Sequence, residues 1–201
     1  MRDIIVLVGQ AAAGKDLIEE MLETVYGVRR LVSHTSRPMR EGEIEGKNYY
    51  FVSSEELLRM VNNDETVEQT TYVVDGETWY YALSKEEIGK ITKGKLGVVT
   101  VNPHGLKQLL AHKDIVDRMK VIYLRAEHDV REQRYMLRGN GSLDTKRQWE
   151  QRVIQDDKDF TYLTAVITKM LKEQEVPLIT LDNNGTVDSI FSKVVDSLEL
   201  N

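Results

Sequence analysis

No cysteine occurs in the 201-residue chain, so disulfides and thiol chemistry are excluded; a reducing compartment is compatible with that absence. No long apolar run occurs either. The first, Ile4 to Val8, falls far short of the roughly 20 residues of a membrane span and is too short for a signal-peptide core. Cytoplasm is therefore the expected location, with no membrane partner. Positive charge is outnumbered, with 27 Lys and Arg against 33 Asp and Glu. A formal net charge of −6 argues against binding a nucleic-acid polymer, which needs a basic face to displace counterions. A small anionic ligand stays open, because one cluster of arginines suffices for a phosphate. The four histidines show no metal-ligand spacing. There is no internal repeat, no low-complexity segment and no linker between independent domains.

What remains is ordinary for a soluble globular protein: 41% hydrophobic and 30% charged residues, enough for one compact domain with a real core and room for a mobile subdomain. Strands alternate with helices. Ile4 to Val8 reads as a buried parallel strand, and Lys15 to Tyr26 as an amphipathic helix with Leu17, Ile18, Met21, Leu22 and Val25 on one face. Arg30 to Ser33 reads as a second short strand. Between residues 34 and 84 the alternation breaks into strands at Tyr49–Val52, Thr70–Val74 and Thr78–Leu83, a helix near Ser54–Val61 and a hairpin turn at Asp75-Gly76. Gly97–Val101, Lys120–Leu124 and Pro177–Leu181 return to buried strands. Glu127–Arg138, Lys146–Leu171 and Val187–Leu198 read as helices. Such alternation predicts a parallel sheet covered on both faces.

Gly9-Gln10-Ala11-Ala12-Ala13-Gly14-Lys15 fits GxxxxGK and lies between a strand and a helix, as a phosphate loop must. Its glycines permit close backbone approach, its N–H groups can wrap phosphate oxygens, and Lys15 adds a full charge at a helix N-terminus. The hydroxyl that usually follows the lysine is replaced by Asp16, and Leu17 supplies none. Asp16 either holds Mg²⁺, directly or through water, or is a first-turn acid favoured by the helix dipole.

Val32-Ser33-His34-Thr35-Ser36-Arg37-Pro38-Met39-Arg40-Glu41-Gly42-Glu43, followed by Gly46, Tyr49 and Phe51-Val52, resembles the monophosphate-binding segment of guanylate kinases. The resemblance is strong up to Tyr81 and weak beyond. It implies an α/β fold: a P-loop three-layer domain with a parallel β-sheet core (1–33, 96–133 and 153–201). An inserted small mixed α/β subdomain (34–84) would bind the monophosphate, and a helical lid (about 134–152) would close. The activity implied is transfer of the ATP γ-phosphoryl group to GMP or dGMP with Mg²⁺. Gly9 to Leu17 would then bind ATP.

Arg37 and Arg40 would grip the acceptor phosphate with Tyr49 and Tyr81. Glu68 would read guanine; the lesser alternative is an exposed glutamate in an acidic stretch with Asp64 and Glu65. Ser33 would approach the base, or is a plain strand-end serine. Lys15, Arg138 and Arg152 would stabilise the transferring group, with Arg134 a poorer candidate. All three arginines also fit surface ion pairs with Glu127, Asp129 and Glu150. Asp182-Asn183-Asn184-Gly185 resembles an adenine-side loop, or is a turn and helix cap.

The chain departs from the family at the base. A Gly-Ser/Thr pair becomes Ala82-Leu83, and an Asp-x-Asp strand end becomes Thr100-Val101-Asn102, leaving Asn102 without charge. Two other readings therefore stand beside a guanylate kinase: a monophosphate kinase of altered base preference, and a phosphate-binding module without catalysis.

Overall fold

The protein is described from a computed structural model covering residues 2–74, 76–138 and 143–200, with only the backbone of 74, 138, 143, 144, 163 and 164. Strand β1 (Ile4–Val8) has no polar side chain to show to water, and it occupies the centre of a five-stranded parallel sheet. The sheet order is β2 (Arg29–Arg30), β7 (Gly97–Thr100), β1, β8 (Met119–Arg125) and β9 (Leu178–Asp182). Side chains alternate across a strand, so β1 feeds two cores. Ile4, Val6 and Val8 pack with Leu106, Leu109, Phe160, Ile167 and Leu171 on one face; Ile5 and Leu7 pack with Ile18, Leu22, Ile190 and Val194 on the other. Full burial of each such side chain stabilises by about 1.5–3 kcal/mol. The expected three-layer α/β fold is present.

Helix α1 (Lys15–Tyr26) and helix α9 (Val187–Leu198) cover the second face. On the first face lie α4 (Pro103–Leu109) and α5 (Lys113–Val116), together with a long helical run. That run is α7 (Leu143–Tyr162), one π-helical segment (Leu163–Ile167) and α8 (Thr168–Glu173), where the periodicity predicts an unbroken helix from 146 to 171. Helix α6 (His128–Arg138) precedes it.

A second, mixed sheet has the order β4 (Tyr50–Phe51), β3 (His34–Thr35), β6 (Glu77–Ser84), β5 (Thr66–Val74). Gly76 turns the β5–β6 hairpin at φ 84°; Asp75, the other expected turn residue, lies outside the described residues. Helix α2 (Ser54–Asn62) is capped by Ser53, whose hydroxyl accepts from Glu56 N, and helix α3 (Lys85–Gly89) is capped likewise by Ser84.

Glu87 of α3, fully buried, ties the second sheet to the first. It accepts from Val32 N at 3.0 Å and from the Tyr50 hydroxyl at 3.2 Å, and it pairs with Lys90. Burial alone would raise its pKa, yet the bonds from Lys90 and Val32 hold it below the usual carboxylate range.

Two expected strands are shorter than read, and three short helices are unexpected. The strand expected at Arg30–Ser33 is only the pair Arg29–Arg30, because the chain leaves the sheet after Leu31 N bonds Val98 O. The strand at Tyr49–Val52 shrinks to two residues. Helices α3, α4 and α5 carry no long apolar period and pass unseen in the sequence.

Candidate active site

The loop Gly9 to Gly14 springs from the C-terminal end of β1 and enters α1 at Lys15. A side chain at Gly9 would meet Leu124 O at 2.5 Å, and Gly14 has φ 98°, so both positions need glycine. Lys15 Nζ donates to Gly9 O at 2.6 Å and Gln10 O at 3.0 Å, stretching across its own loop. Asn183, 4% exposed, pins the loop from the other side: its Nδ2 donates to Ala13 O at 2.9 Å, and its backbone N to Arg125 O. Asn183 is thus a loop clamp, which the plain turn at Asp182–Gly185 did not suggest; the helix cap is Thr186. Ala12 is buried at φ 58°, and Leu17 is half-buried. The Gln10 side chain lies 3.4 Å from Asp157.

Around the second sheet, Arg37 is 4% exposed. Its Nη2 donates to Glu43 Oε1 at 2.6 Å and its Nη1 to Pro38 O, while its guanidinium lies 5.6 Å from the Tyr49 ring centre and also meets the Tyr81 hydroxyl. Glu43 spans the segment, because its other oxygen accepts from Arg40 N at 2.7 Å. The Arg40 side chain is exposed. The two arginines are therefore not equivalent forks: Arg37 is built in and Arg40 reaches outward.

Tyr49 and Tyr81 meet edge to face at 5.7 Å, and Tyr81 meets Tyr72 at 5.5 Å. Burial pushes the Tyr49 hydroxyl up to about 12, helped by Tyr81 and by the Asp16 carboxylate. Asp16 is exposed in the first turn of α1, and its charge is one of the lesser causes that raise Tyr49. Ser33 accepts from Tyr50 N through its carbonyl.

Glu68 is 6% exposed, which removes the surface-charge reading. Oε1 accepts from the Thr70 hydroxyl at 2.7 Å, the carboxylate also meets the Leu83 N–H, and it abuts Gly105, where a Cβ would come within 2.7 Å. Burial pushes its pKa up to about 7. Asn102 caps α4 by accepting from Gly105 N at 2.7 Å, and its Nδ2 donates to the Tyr72 hydroxyl at 2.9 Å.

Arg152 of α7 completes this side. It stacks on the Tyr72 ring at 5.5 Å and lies 3.3 Å from Asp156, so its pairing is with Asp156 in place of Glu150. Arg134 Nη2 lies 3.4 Å from Asn183 Oδ1. Arg138 ends α6, and its side chain, with Gly139-Asn140-Gly141, lies outside the described residues. Sequence reasoning missed Tyr72, Arg131 and Asp156. The i, i+4 spacing from Arg152 to Asp156 was the available signal. The side chains of His128, Asp129 and Glu132 also converge within 4.8 Å at the start of α6, in an exposed cluster that a search for paired histidines passes over. No helix among the described residues is long and apolar enough to cross a membrane.

A GxxxxGK loop at the end of a central parallel strand, in a chain that inserts a second, mixed sheet carrying Arg37, Tyr49 and Tyr81, defines a P-loop α/β protein. The guanylate kinase family profile matches residues 1–177, and the chain belongs to that family. A guanylate kinase from Wolinella succinogenes is 29% identical over 183 residues, covering 89% of this chain and 82% of that protein. One from Mycoplasmopsis pulmonis is 34% identical over 119 residues, or 58% of this chain and 59% of the relative. The chain thus spans less than two thirds of this second relative. The solved guanylate kinase of Anaplasma phagocytophilum superposes with a TM-score of 0.63 over 98% of this chain and 84% of that one; at 19% identity it supports the fold alone.

Proposed function

We propose that the chain is an ATP-dependent nucleoside monophosphate kinase that phosphorylates GMP or dGMP. The observation carrying this reading is the phosphate loop with Lys15 drawn across its own carbonyls, together with an inserted sheet that buries Arg37 against Tyr49 and Tyr81; the charge of Asp16 beside Lys15 is felt at Tyr49. Phosphoryl transfer asks a protein to position two phosphates and neutralise charge, and little else. The nucleotide phosphate is itself the nucleophile, so no carboxylate base is required.

In this reading residues 34–84 hold the acceptor, 134–152 form the lid, and 1–33, 96–133 and 153–201 form the core. Gly9 to Leu17 hold ATP, and Lys15, Arg138 and Arg152 stabilise the transferring group. Arg37, Arg40, Tyr49 and Tyr81 hold the acceptor phosphate; Ser33, Glu68 and Asn102 face its base. Mg²⁺ fits the donor set: the Asp16 carboxylate would hold it. Thr100 Oγ1, at the end of β7 opposite Leu7 of β1, is buried without a hydrogen-bond partner among the described residues. The ion would neutralise charge on the phosphates. The cytoplasm is the proposed location.

A second reading, altered base preference, is favoured by Glu68. Its carboxylate is already engaged by Thr70 and Leu83, and Leu83 is a fully buried core residue where the family offers a hydroxyl. An assay of ATP consumption across all ribo- and deoxynucleoside monophosphates with Mg²⁺ decides between them. Turnover best with GMP or dGMP supports the first reading, and a different preferred base supports the second. Binding without turnover for every acceptor overturns both and leaves the phosphate-binding module.

A further inference from the structure

Asp156 has no part in the site as read so far, yet its carboxylate reaches the phosphate loop. It is 3% exposed; Oδ2 accepts from Ala11 N at 2.6 Å and Oδ1 lies 3.3 Å from Arg152 Nε. The N–H groups of such a loop are the ligands of phosphate oxygens, so a carboxylate oxygen on one of them occupies a phosphate oxygen's place. Arg131 of α6 approaches the same carboxylate, at the oxygen that accepts from Ala11 N. It is also 3% exposed, packs on Trp149 at 5.5 Å, and brings Nη1 to 3.7 Å from Oδ2. That distance makes an ion pair and no hydrogen bond. Nε and Nη1 of Arg131 have no hydrogen-bond partner among the described residues. A buried guanidinium with unfilled donors is costly, and two carboxylate oxygens already shared with Ala11 and Arg152 do not fill it.

We propose that Arg131 is a phosphate-binding residue of the donor site, and that Asp156 holds the place of a phosphate oxygen, from which the nucleotide displaces it. A phosphate brings three free oxygens in a tetrahedral arrangement, enough to satisfy a loop N–H and two guanidinium forks together. A carboxylate left beside the incoming phosphates would repel them, so binding requires Asp156 to leave. Because Asp156 and Arg152 share one helix, its departure frees Arg152 for the transferring group. This inference rests on the phosphate loop binding ATP.

Calorimetric binding of ATP and of inorganic tripolyphosphate, at fixed Mg²⁺, tests it on the wild type, Asp156→Asn, Arg131→Met and the double variant. Asp156→Asn keeps an acceptor for Ala11 N without the charge and should bind both ligands at least tenfold more tightly. Arg131→Met should bind both at least tenfold more weakly, and the double variant should be weaker than Asp156→Asn by a similar factor. A double variant that binds like Asp156→Asn would show that Arg131 only neutralises Asp156, and overturns the proposal. So does an Asp156→Asn that binds no tighter than wild type, including a loss that extra Mg²⁺ restores. If a variant fails to fold, the wild type decides: titrating tripolyphosphate should move the Asp156 carboxyl ¹³C and Ala11 amide resonances together, and an unmoved Asp156 overturns the inference. Wild-type binding that ignores Lys15→Ala would instead remove the kinase reading, and this inference with it.

Discussion

Replacing Glu68 by glutamine tests both the base site and the cost of building it. Burial raises the Glu68 pKa from 4.5 to about 7. Between those values the folded chain keeps the proton and the unfolded chain releases it. Folding stability therefore falls as pH rises from 4.5 to 7 and is flat above that, with the unfolded state binding fewer protons throughout the window. At about 1.4 kcal/mol per pKa unit, the loss amounts to about 3 kcal/mol. Glutamine does not titrate, so Glu68→Gln should gain on wild type by about 3 kcal/mol between pH 4.5 and pH 8. Glu19, which burial raises to about 7 against the pull of Arg30 3.0 Å away, adds the same kind of slope to both proteins and cancels in the difference. The amide leaves either the Thr70 hydroxyl or the Leu83 N–H without its acceptor, a pH-independent offset of about 1–3 kcal/mol against the variant. The diagnostic is thus the change of the difference with pH, read from urea denaturation at pH 5 and pH 8. A difference that does not move with pH would refute the buried, raised carboxyl. In the kinase reading, reading guanine needs the ionised form, so the acceptor KM should improve as pH rises through 7 in wild type only.

Lys15→Ala should cost about 3 kcal/mol of transition-state stabilisation, roughly a hundredfold in kcat, with an unchanged melting temperature; near-normal turnover would sink the kinase reading. Arg40→Ala, removing an exposed side chain, should raise the acceptor KM by a factor of about 10 to 100 and leave ATP binding alone, as steady-state kinetics with each nucleotide varied would show. Arg37→Ala should instead lower folding stability by about 3 kcal/mol in urea titration, because it strands the Glu43 carboxylate; equal behaviour of the two arginine variants would contradict their different burial. Asp16→Ala should raise the Mg²⁺ concentration needed for half-maximal rate and Asp16→Ser should restore it, and an Mg²⁺ profile unmoved in Asp16→Ala would leave Asp16 as a helix-terminus charge.

Much of the sheet was legible because its signals are local. Ile4 to Val8 is apolar on both faces, which only a central strand tolerates, and Gly9 with Gly14 and Lys15 marks the loop that must follow. The hairpin of β5 and β6 was readable for the same reason, from two β-rich runs around a turn. The helices missed are short and are set by caps and packing more than by period. Pro103 to Leu109, for instance, is started by Asn102 and held by Leu106 and Leu109 in the core. The phosphate-loop motif pointed to Lys15, and the resemblance to guanylate kinases added Arg37, Tyr49 and Glu68. What they did not carry was which charges are buried and what each one faces. Glu68 lies against Gly105, 37 positions on, and Asp156 sits on the Ala11 amide across 145 residues of chain. Burial and long-range pairing are properties of the packed sheet and its helices, and they alone separate a solvated glutamate from a raised carboxyl, or a helix-surface aspartate from one seated in a phosphate loop.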